Sequence, residues 1–214
     1  MRYTPYLMQT NNQLYIKEDV IQEQILQAAK RLFQVHGLHK VTMDDVAKAI
    51  GKGRSSLYYY YKSKDEIFDA VMRIEIKEML TAIANAVDEV ATVEQKINAF
   101  CATKLNVLRG KRAFYNTLDA GMDADAISHF NQTKVIHHNF IMEQEGALLR
   151  QVLTTGIEKG ELRAMAEKDQ DVLIFVLLSS LHGLKREMVM ENNFDGIEPA
   201  VNTLSRLIMH GLKK

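Results

Sequence analysis

The stretch TMDDVAKAIGKGRSSLYYYYKSK, from Thr42 to Lys64, decides how the rest of the chain is interpreted. Thr42 is a good N-cap, and Asp45 at the N3 position completes a capping box at the start of a short helix. Gly51 ends that helix, and Gly53 leaves the backbone free to reverse before a second short helix opens. Two short helices joined by a tight turn form a helix-turn-helix, so this stretch predicts a DNA-reading element.

The second of these helices carries side chains suited to duplex DNA. An arginine can bond a guanine edge in two places, serines let a helix approach the major groove closely, and a tyrosine can touch a thymine methyl group. A hydroxyl, a phenol and an ammonium at the edges of the motif would hold phosphates. We therefore predict DNA contacts by Arg54, Ser55, Ser56 and Tyr59 in the groove, with a phosphate contact as the alternative for Arg54, and by Thr42, Tyr60 and Lys64 on the backbone. Leu57, Tyr58 and Tyr61 are expected to pack inward.

The run from Ile25 to Phe68 resembles the N-terminal domain of the TetR family of bacterial transcriptional regulators. The resemblance combines an AAxxLFxxxG helix with the threonine cap and a tyrosine-rich signature, carried by Ala28, Ala29, Leu32, Phe33, Gly37, Thr42, Ala47, Gly51, Leu57, Tyr58 and 60–64. The sequence departs from the family pattern in two respects, because Tyr61 stands where Phe is usual and Lys52-Gly53 replaces a pair such as Val-Ser. The departures leave the fold unaffected and obscure the preferred DNA sequence.

The resemblance implies an all-α protein of about nine helices. A three-helix DNA-binding domain at 18–64 would follow an N-terminal arm at 1–17, and a long helix would join it to a ligand-binding and dimerisation domain at 65–214. The ligand cavity would be lined by residues of the fifth to seventh helices, namely Phe100, Cys101, Leu105, Phe114, Tyr115, Met122, His129, Phe130, Ile136 and Phe140. Ordinary core packing is the alternative for each of them.

Composition agrees with a helical protein that has a core. The 214 residues are 47% hydrophobic, and Pro5 and Pro199 are the only prolines, so little interrupts helices between them. The formal net charge is zero, yet residues 1–64 hold ten Lys/Arg and five Asp/Glu, a balance of +5 that the remainder cancels. A basic N-terminal part on an acidic body fits a DNA-facing head, although such an asymmetry is also ordinary scatter.

No targeting or membrane segment is recognised in the sequence. Cys101 is the single cysteine, which excludes an intrachain disulfide and agrees with a reducing cytosol. The most apolar run, 172–178, is too short to span a bilayer. We therefore expect a cytoplasmic protein that does not associate with membranes.

Capping signals and apolar periodicity place the remaining helices. The first is expected from Glu18, the fourth from the Ser63 cap, with Glu66 completing a second capping box, to about residue 90, and the fifth from a Thr92 and Gln95 capping box. A very long helical pattern at 125–159 suggests a break or kink near its Gly146. The eighth helix, at 169–190, is apolar nearly all round, and with the ninth, at 197–212, it predicts a homodimer interface; a central position of the eighth helix within one monomer is the alternative.

Catalytic and metal-binding motifs are weak in this sequence. His137 and His138 are adjacent, so on a helix they point about 100 degrees apart and share a metal ion poorly. We expect no enzyme activity and no cofactor. The sequence predicts a DNA-binding regulator, a repressor released from a near-palindromic double-stranded operator by a small-molecule effector. A regulator or activator controlled by a protein partner, or by no ligand, is the alternative, and a metal-dependent hydrolase is the remote one.

Overall fold

The computed structural model describes residues 13–118, 122, 124–191 and 193–212, without the side chains of 13–19, Tyr115, Asn116, Asp125, Ala126 and His129. Across these residues the chain forms nine α-helices: α1 (Gln13–His36), α2 (Met43–Ala49), α3 (Arg54–Tyr60), α4 (Lys64–Asp88), α5 (Val93–Gly110), α6 (Arg112–Leu118), α7 (Ala124–Glu158), α8 (Glu167–Met190) and α9 (Ile197–Leu212). The all-α prediction with about nine helices is confirmed. Most of the predicted arm at 1–17 lies outside the described residues, but α1 begins at Gln13, earlier than the predicted Glu18.

Side-chain caps fix the helix starts much as the sequence predicts. Thr42 and Asp45 form the reciprocal capping box of α2, and Thr92 and Gln95 form that of α5. At α4 only half of the predicted box is present. The Ser63 hydroxyl accepts from the Glu66 amide, whereas the Glu66 carboxylate accepts from the amide of Lys62 at 2.7 Å. The Glu66 carboxylate therefore binds the residue before the N-cap instead of the N-cap amide that a capping box requires.

Helix α7 runs without interruption through 35 residues, so the predicted break near Gly146 is wrong. A Cβ at Gly146 would lie 3.7 Å from the Ile174 side chain of α8, an ordinary contact distance. The glycine thus packs beside a neighbouring helix and does not end its own.

Two hydrophobic clusters divide the molecule. One gathers α1, α2, α3 and the start of α4, and it also includes Phe114 and Leu118 of α6 and Phe130 of α7. The other is built from the rest of α4 with α5, α7, α8 and α9. A backbone hydrogen bond from Leu38 to the Leu118 carbonyl, 3.2 Å long, adds a polar link between the α1–α2 loop and α6. The first cluster, which we call the head core, therefore continues into the first turns of α4 and beyond.

Within the described part of the chain, each helix is too short or too polar to traverse a lipid bilayer.

Candidate functional site

Helices α2 and α3 present a helix-turn-helix at one end of the molecule. Gly51 lies between them with a φ of +65°, a left-handed conformation that glycine adopts without steric cost. Leu57 anchors α3 with no exposed surface, and Tyr60 and Tyr61 pack half-buried against the head core. The expectation that Tyr58 packs inward is wrong, since that ring is 40% exposed. Residues three and four positions after Leu57 share its face of the helix, whereas the next residue is rotated by about 100 degrees.

The exposed face of α3 carries four of the seven predicted DNA contacts. Arg54, Ser55, Ser56 and Tyr59 are all solvent-exposed, and the Tyr59 ring is 72% exposed. That ring meets the ring of Tyr60 edge-on, with centroids 4.9 Å apart. The other predicted contact on α3, Tyr60, lies at the border between this face and the head core.

Arg54 lies across the two helices of the motif. Its Nε is 3.3 Å from Asp44 Oδ1, and its Nη2 donates to the hydroxyl of Tyr58 at 3.2 Å. The guanidinium carbon also lies 5.4 Å from the centre of the Tyr58 ring. Both side chains of the ion pair are largely exposed, so the pair is weak and Arg54 can leave it for a base or a phosphate at little cost.

Thr42 and Lys64 already have partners inside the protein. The Thr42 hydroxyl donates to Asp45 Oδ2 at 2.6 Å, and that bond, followed by the one from the Thr42 amide, lowers the pKa of Asp45. The Lys64 ammonium donates to the carbonyls of Leu38 and His39 at 2.8 and 3.2 Å, and partial burial lowers its pKa. Lys64 thus joins the start of α4 to the α1–α2 loop.

Two exposed lysines beside α3 were not assigned a DNA contact from the sequence. Lys52 lies in the turn between α2 and α3, and Lys62 follows α3 directly. Their flanking positions were the signal available in the sequence, because cations at the ends of a recognition helix are placed to meet phosphates. They add to the seven predicted DNA contacts without replacing any of them.

The body encloses a cavity of about 540 Å³ between α4, α5, α7 and α8. Its wall along α4 is apolar and is formed by Phe68, Met72, Ile76 and Met79. The walls from α5, α7 and α8 carry cations and imidazoles, namely Lys104, Lys134, His137, His138, His182 and Lys185. A concave site of this size with an apolar wall and a few polar groups is the usual form of a small-molecule site.

The structure places most of the predicted ligand residues away from this cavity. Phe130 lines it, and Met122 lines a shallower pocket nearby, again with Phe130. Buried core positions, not the cavity wall, are occupied by Phe100, Cys101, Leu105 and Phe114. Ile136 and Phe140 are 63% and 49% exposed on the outer face of α7, because its inward register runs through His137 and Ile141. The predicted side chains of Tyr115 and His129 lie outside the described residues.

A buried ion pair stands behind the cationic wall. Lys104 and Glu145 are 2% and 0% exposed, and the ammonium donates to Glu145 Oε2. Among the described residues, none forms a hydrogen bond with Glu145 Oε1. Burial raises the pKa of the Glu145 carboxyl, although the neighbouring Lys104 opposes that change. Next to the pair, burial and then the nearby cations of Lys104, His138 and Lys185 lower the pKa of His182 to about 4, so that imidazole is neutral.

The lone thiol is inert in this environment. Cys101 has no exposed surface, and burial raises its pKa to about 12. The thiol is therefore protonated and packs as a small apolar side chain.

Polar contacts on α4 connect the head with the body. His137 Nε2 on α7 lies 2.8 Å from Asp69 Oδ1. About one and a half turns further along α4, the buried Glu75 carboxylate pairs with Lys30 of α1 and with Lys111, which follows α5. The Lys111 ammonium lies 2.8 Å from Glu75 Oε2. Helix α4 is thus bonded to helices on both sides of it.

Helices α8 and α9 leave apolar side chains uncovered in the single chain. Val172, Phe175 and Val176 of α8 are 55%, 64% and 52% exposed, and Leu207 of α9 is 65% exposed. The same helix α8 buries Ile174, Leu177, Leu178 and Leu181 on its other side. One face of α8 is therefore core and the other is an apolar surface.

A helix-turn-helix head carried on a helical body defines the class of helical transcriptional regulators. Residues 25–71 match the family model of the bacterial regulatory proteins of the tetR family. Over these residues the chain belongs to the TetR family.

Relatives in sequence match over part of the chain. The uncharacterized HTH-type transcriptional regulator YhgD of Bacillus subtilis is 40% identical over 55 residues, which cover 26% of this chain and 29% of that protein. The HTH-type transcriptional repressor Rv1474c of Mycobacterium tuberculosis is 30% identical over 94 residues, covering 42% of this chain and 50% of that protein. The chain thus spans half or less of the length of these curated relatives.

The fold match extends over nearly the whole chain. The crystal structure of the transcriptional regulator FadR from Bacillus subtilis, in complex with stearoyl-CoA, has a TM-score of 0.64 at 18% identity and covers 88% of this chain and 98% of that one. At this identity the likeness establishes the common fold.

Proposed function

We propose that the protein is a cytoplasmic, homodimeric repressor that binds a near-palindromic operator and is released by a small molecule in the α4–α8 cavity. One observation carries this proposal: Phe68 and Met72 belong to the head core and also line the cavity. A ligand that moves these side chains changes the packing of the helix-turn-helix. The relative Rv1474c is a transcriptional repressor, and FadR was solved in complex with stearoyl-CoA, which together support negative control by a small molecule.

The dimer follows from the apolar surface of α8 and α9. Val172, Phe175, Val176 and Leu207 would be covered by the same residues of a second copy related by a twofold axis. Such a dimer presents two α3 helices, and a twofold protein matches two half-sites about one helical turn apart. Each exposed apolar side chain that is buried in this way contributes roughly 1.5–3 kcal/mol of favourable transfer.

Release requires only a modest shift between two arrangements of α4. In the structure, α4 is held by Phe68 in the head core and by the contact between Asp69 and His137. A ligand that favours a different position of α4 by about 5.5 kcal/mol would turn a 99:1 mixture into a 1:99 mixture. The two heads of the dimer would then no longer fit both half-sites.

DNA binding is tested with fluorescence anisotropy on labelled DNA from upstream of the protein's own coding sequence, with random duplex as the reference. We expect Arg54→Ala to reduce the preference for one base pair, and Lys52→Ala to weaken binding on every sequence and lower the salt slope by about one. Arg150→Ala is the matched control, since Arg150 is also exposed and ion-paired but lies in the body. Equal losses for Arg54→Ala on specific and random DNA would contradict base reading.

The sign of regulation is tested by deleting the gene. A repressor predicts that transcripts of neighbouring genes rise on deletion and fall again when the wild-type protein is restored. Falling transcripts on deletion would favour an activator, and operator release by no metabolite pool would favour control by a protein partner.

A further inference from the structure

The walls of the cavity have an uneven charge distribution. Three lysines and three histidines line it, and no aspartate or glutamate is among its described lining residues. Lys104 is neutralised by Glu145 from behind, and His137 faces Asp69. By contrast, no hydrogen bond or ion pair joins the Lys185 ammonium to any residue in the described part of the chain. The cavity therefore carries a positive charge that the described residues leave uncompensated.

The pKa directions agree with this positive field. Burial, followed by the cations of Lys104 and Lys134, lowers the pKa of Lys185, while Glu145 opposes the change. The neutral state of His182 has the same causes, burial first and the lysines after it. A neutral ligand would exclude water from Lys185 without giving the ammonium a partner, and a buried unpaired charge is costly. An anion would remove that cost.

The wall along α4 has a different chemistry. Phe68, Met72, Ile76 and Met79 are spaced by four, four and three residues, so they form one stripe that is about 16 Å long. The hydrocarbon core of a bilayer is about 30 Å thick, so one layer of acyl chains is about 15 Å deep. The stripe therefore matches the length of a single long alkyl chain. Helices α4 and α8 each pack on α7 or α5 and together line the cavity, so the stripe and the cations of α8 face the same space.

We propose that the cavity binds an amphipathic anion, with its alkyl chain along the α4 stripe and its carboxylate or phosphate beside Lys185, Lys104 and His182. The effect of this ligand on DNA binding rests on the proposed function, whereas the binding of the ligand itself is argued from the cavity alone. Such a ligand connects the cationic wall of the cavity with the head core. Its head group is held by α5 and α8, while its chain displaces Phe68 and Met72, the residues shared with the head core.

Calorimetric titration of the full-length chain tests the ligand class with four probes that share a ten-carbon chain: decanoate, decyl phosphate, decanol and decyltrimethylammonium, all below micelle formation. We expect one molecule of decanoate or decyl phosphate per chain, with decanol at least tenfold weaker and the cation not bound. The stronger of the two anions identifies the head group. Equal affinity for decanol and both anions would overturn the proposal.

Lys185→Met tests the position of the head group. We expect at least a tenfold loss of affinity for the preferred anion and an unchanged affinity for decanol. Lys168→Met is the matched control, because Lys168 is an exposed lysine of the same helix, away from the cavity. Equal losses for the anion and decanol in Lys185→Met would contradict a head group at this site. Should that variant fail to fold, the probe comparison on the wild-type chain still decides the proposal.

The His182 imidazole supplies an independent readout. An anion beside it would raise its pKa from about 4, and decanol would not, as nuclear magnetic resonance titration of the His182 ring can measure. An unchanged His182 pKa with decanoate bound would place the anion elsewhere and overturn the assignment. Operator binding by the ligand-free chain is measured separately, so a protein that binds DNA but no amphipathic anion would refute this inference alone. A protein that binds the anion but no DNA would refute the proposed function alone.

Discussion

Replacing Glu145 by Leu leaves the Lys104 ammonium buried without its carboxylate. Lys104 is 2% exposed and Glu145 is fully buried, so this is not a surface pair. Removing one partner of a buried pair costs about 3–5 kcal/mol, and we expect the lower end because Lys104 also borders the cavity. With an unfolding slope of roughly 3 kcal/mol per molar urea, the midpoint would fall by about 1 M.

The reciprocal change gives a pH-dependent loss. Lys104→Met leaves a buried carboxyl whose pKa rises further above its unfolded value, because burial already raises it in the wild-type chain. A raised folded-state pKa means that this stability is present at low pH and is lost as the pH rises toward the folded-state pKa. We therefore expect the deficit of Lys104→Met to be small at pH 5 and to grow toward pH 8. A deficit that does not change with pH would show that Glu145 is not the group left unpaired.

The double variant Lys104→Met with Glu145→Leu completes the cycle. Two apolar side chains of similar volume remove both buried charges and the unsatisfied Glu145 Oε1, so we expect stability within about 1 kcal/mol of wild type. The coupling energy would then be at least about 2 kcal/mol. Urea unfolding at one fixed protomer concentration measures it, and Arg150→Met in the exposed pair with Asp171 is the control, expected to cost less than about 1 kcal/mol. Additive losses in the double variant would refute the reasoning.

Three further predictions concern the turn, the dimer and the base of α4. Gly51→Ala should lower the free energy of unfolding by about 1–2 kcal/mol in urea unfolding, and Gly51→Asn should lower it clearly less. The reason is the +65° φ, which asparagine tolerates better than alanine, since an added Cβ would meet no neighbouring atom; equal losses would contradict this. Val176→Glu should yield a monomer of 24.4 kDa by light scattering, whereas Val135→Glu, at a similarly exposed valine of α7, should leave the dimer intact. If the Val176→Glu variant is also dimeric, the α8 surface is not the interface. Lys64→Met should lower the free energy of unfolding by about 1–2 kcal/mol, because the hydrogen bonds to two carbonyls are lost, while Lys62→Met, at an exposed lysine, should not change it. If Lys64→Met does not change stability either, the Lys64 ammonium is available for a phosphate.

Helix ends and the helix-turn-helix were accessible from the sequence because their causes are local. The capping boxes at Thr42 and Thr92 each involve residues three positions apart, and Gly51 determines its own turn. Helix α1 began earlier than predicted because the residues before Glu18 have no apolar period, although they still propagate the helix. Local signals therefore fixed the order of elements better than their first residues.

The cavity was harder to predict because its residues come together only through packing. Lys104 and His182 are far apart in the chain, and no local pattern relates them. Helix α7 carries apolar residues on more than one side, so periodicity alone could not distinguish the outward Ile136 and Phe140 from the inward Phe130. The resemblance to the TetR family implied that a cavity is lined by these helices, but only the helix rotations decide which side chains line it.

The shared position of Phe68 has a consequence for how such a protein can be cut and recombined. A fragment that stops at Lys64 would lack Ile67, Phe68 and Val71, which fill the head core, as well as Phe114 and Phe130 from the body. Helices α2 and α3 of such a fragment would pack on an apolar surface that is exposed to solvent. A chimera that grafts this head onto another helical body therefore has to bring along the opening turns of α4 and a compatible patch of α6 and α7, so the head cannot be exchanged as a unit that ends at Lys64.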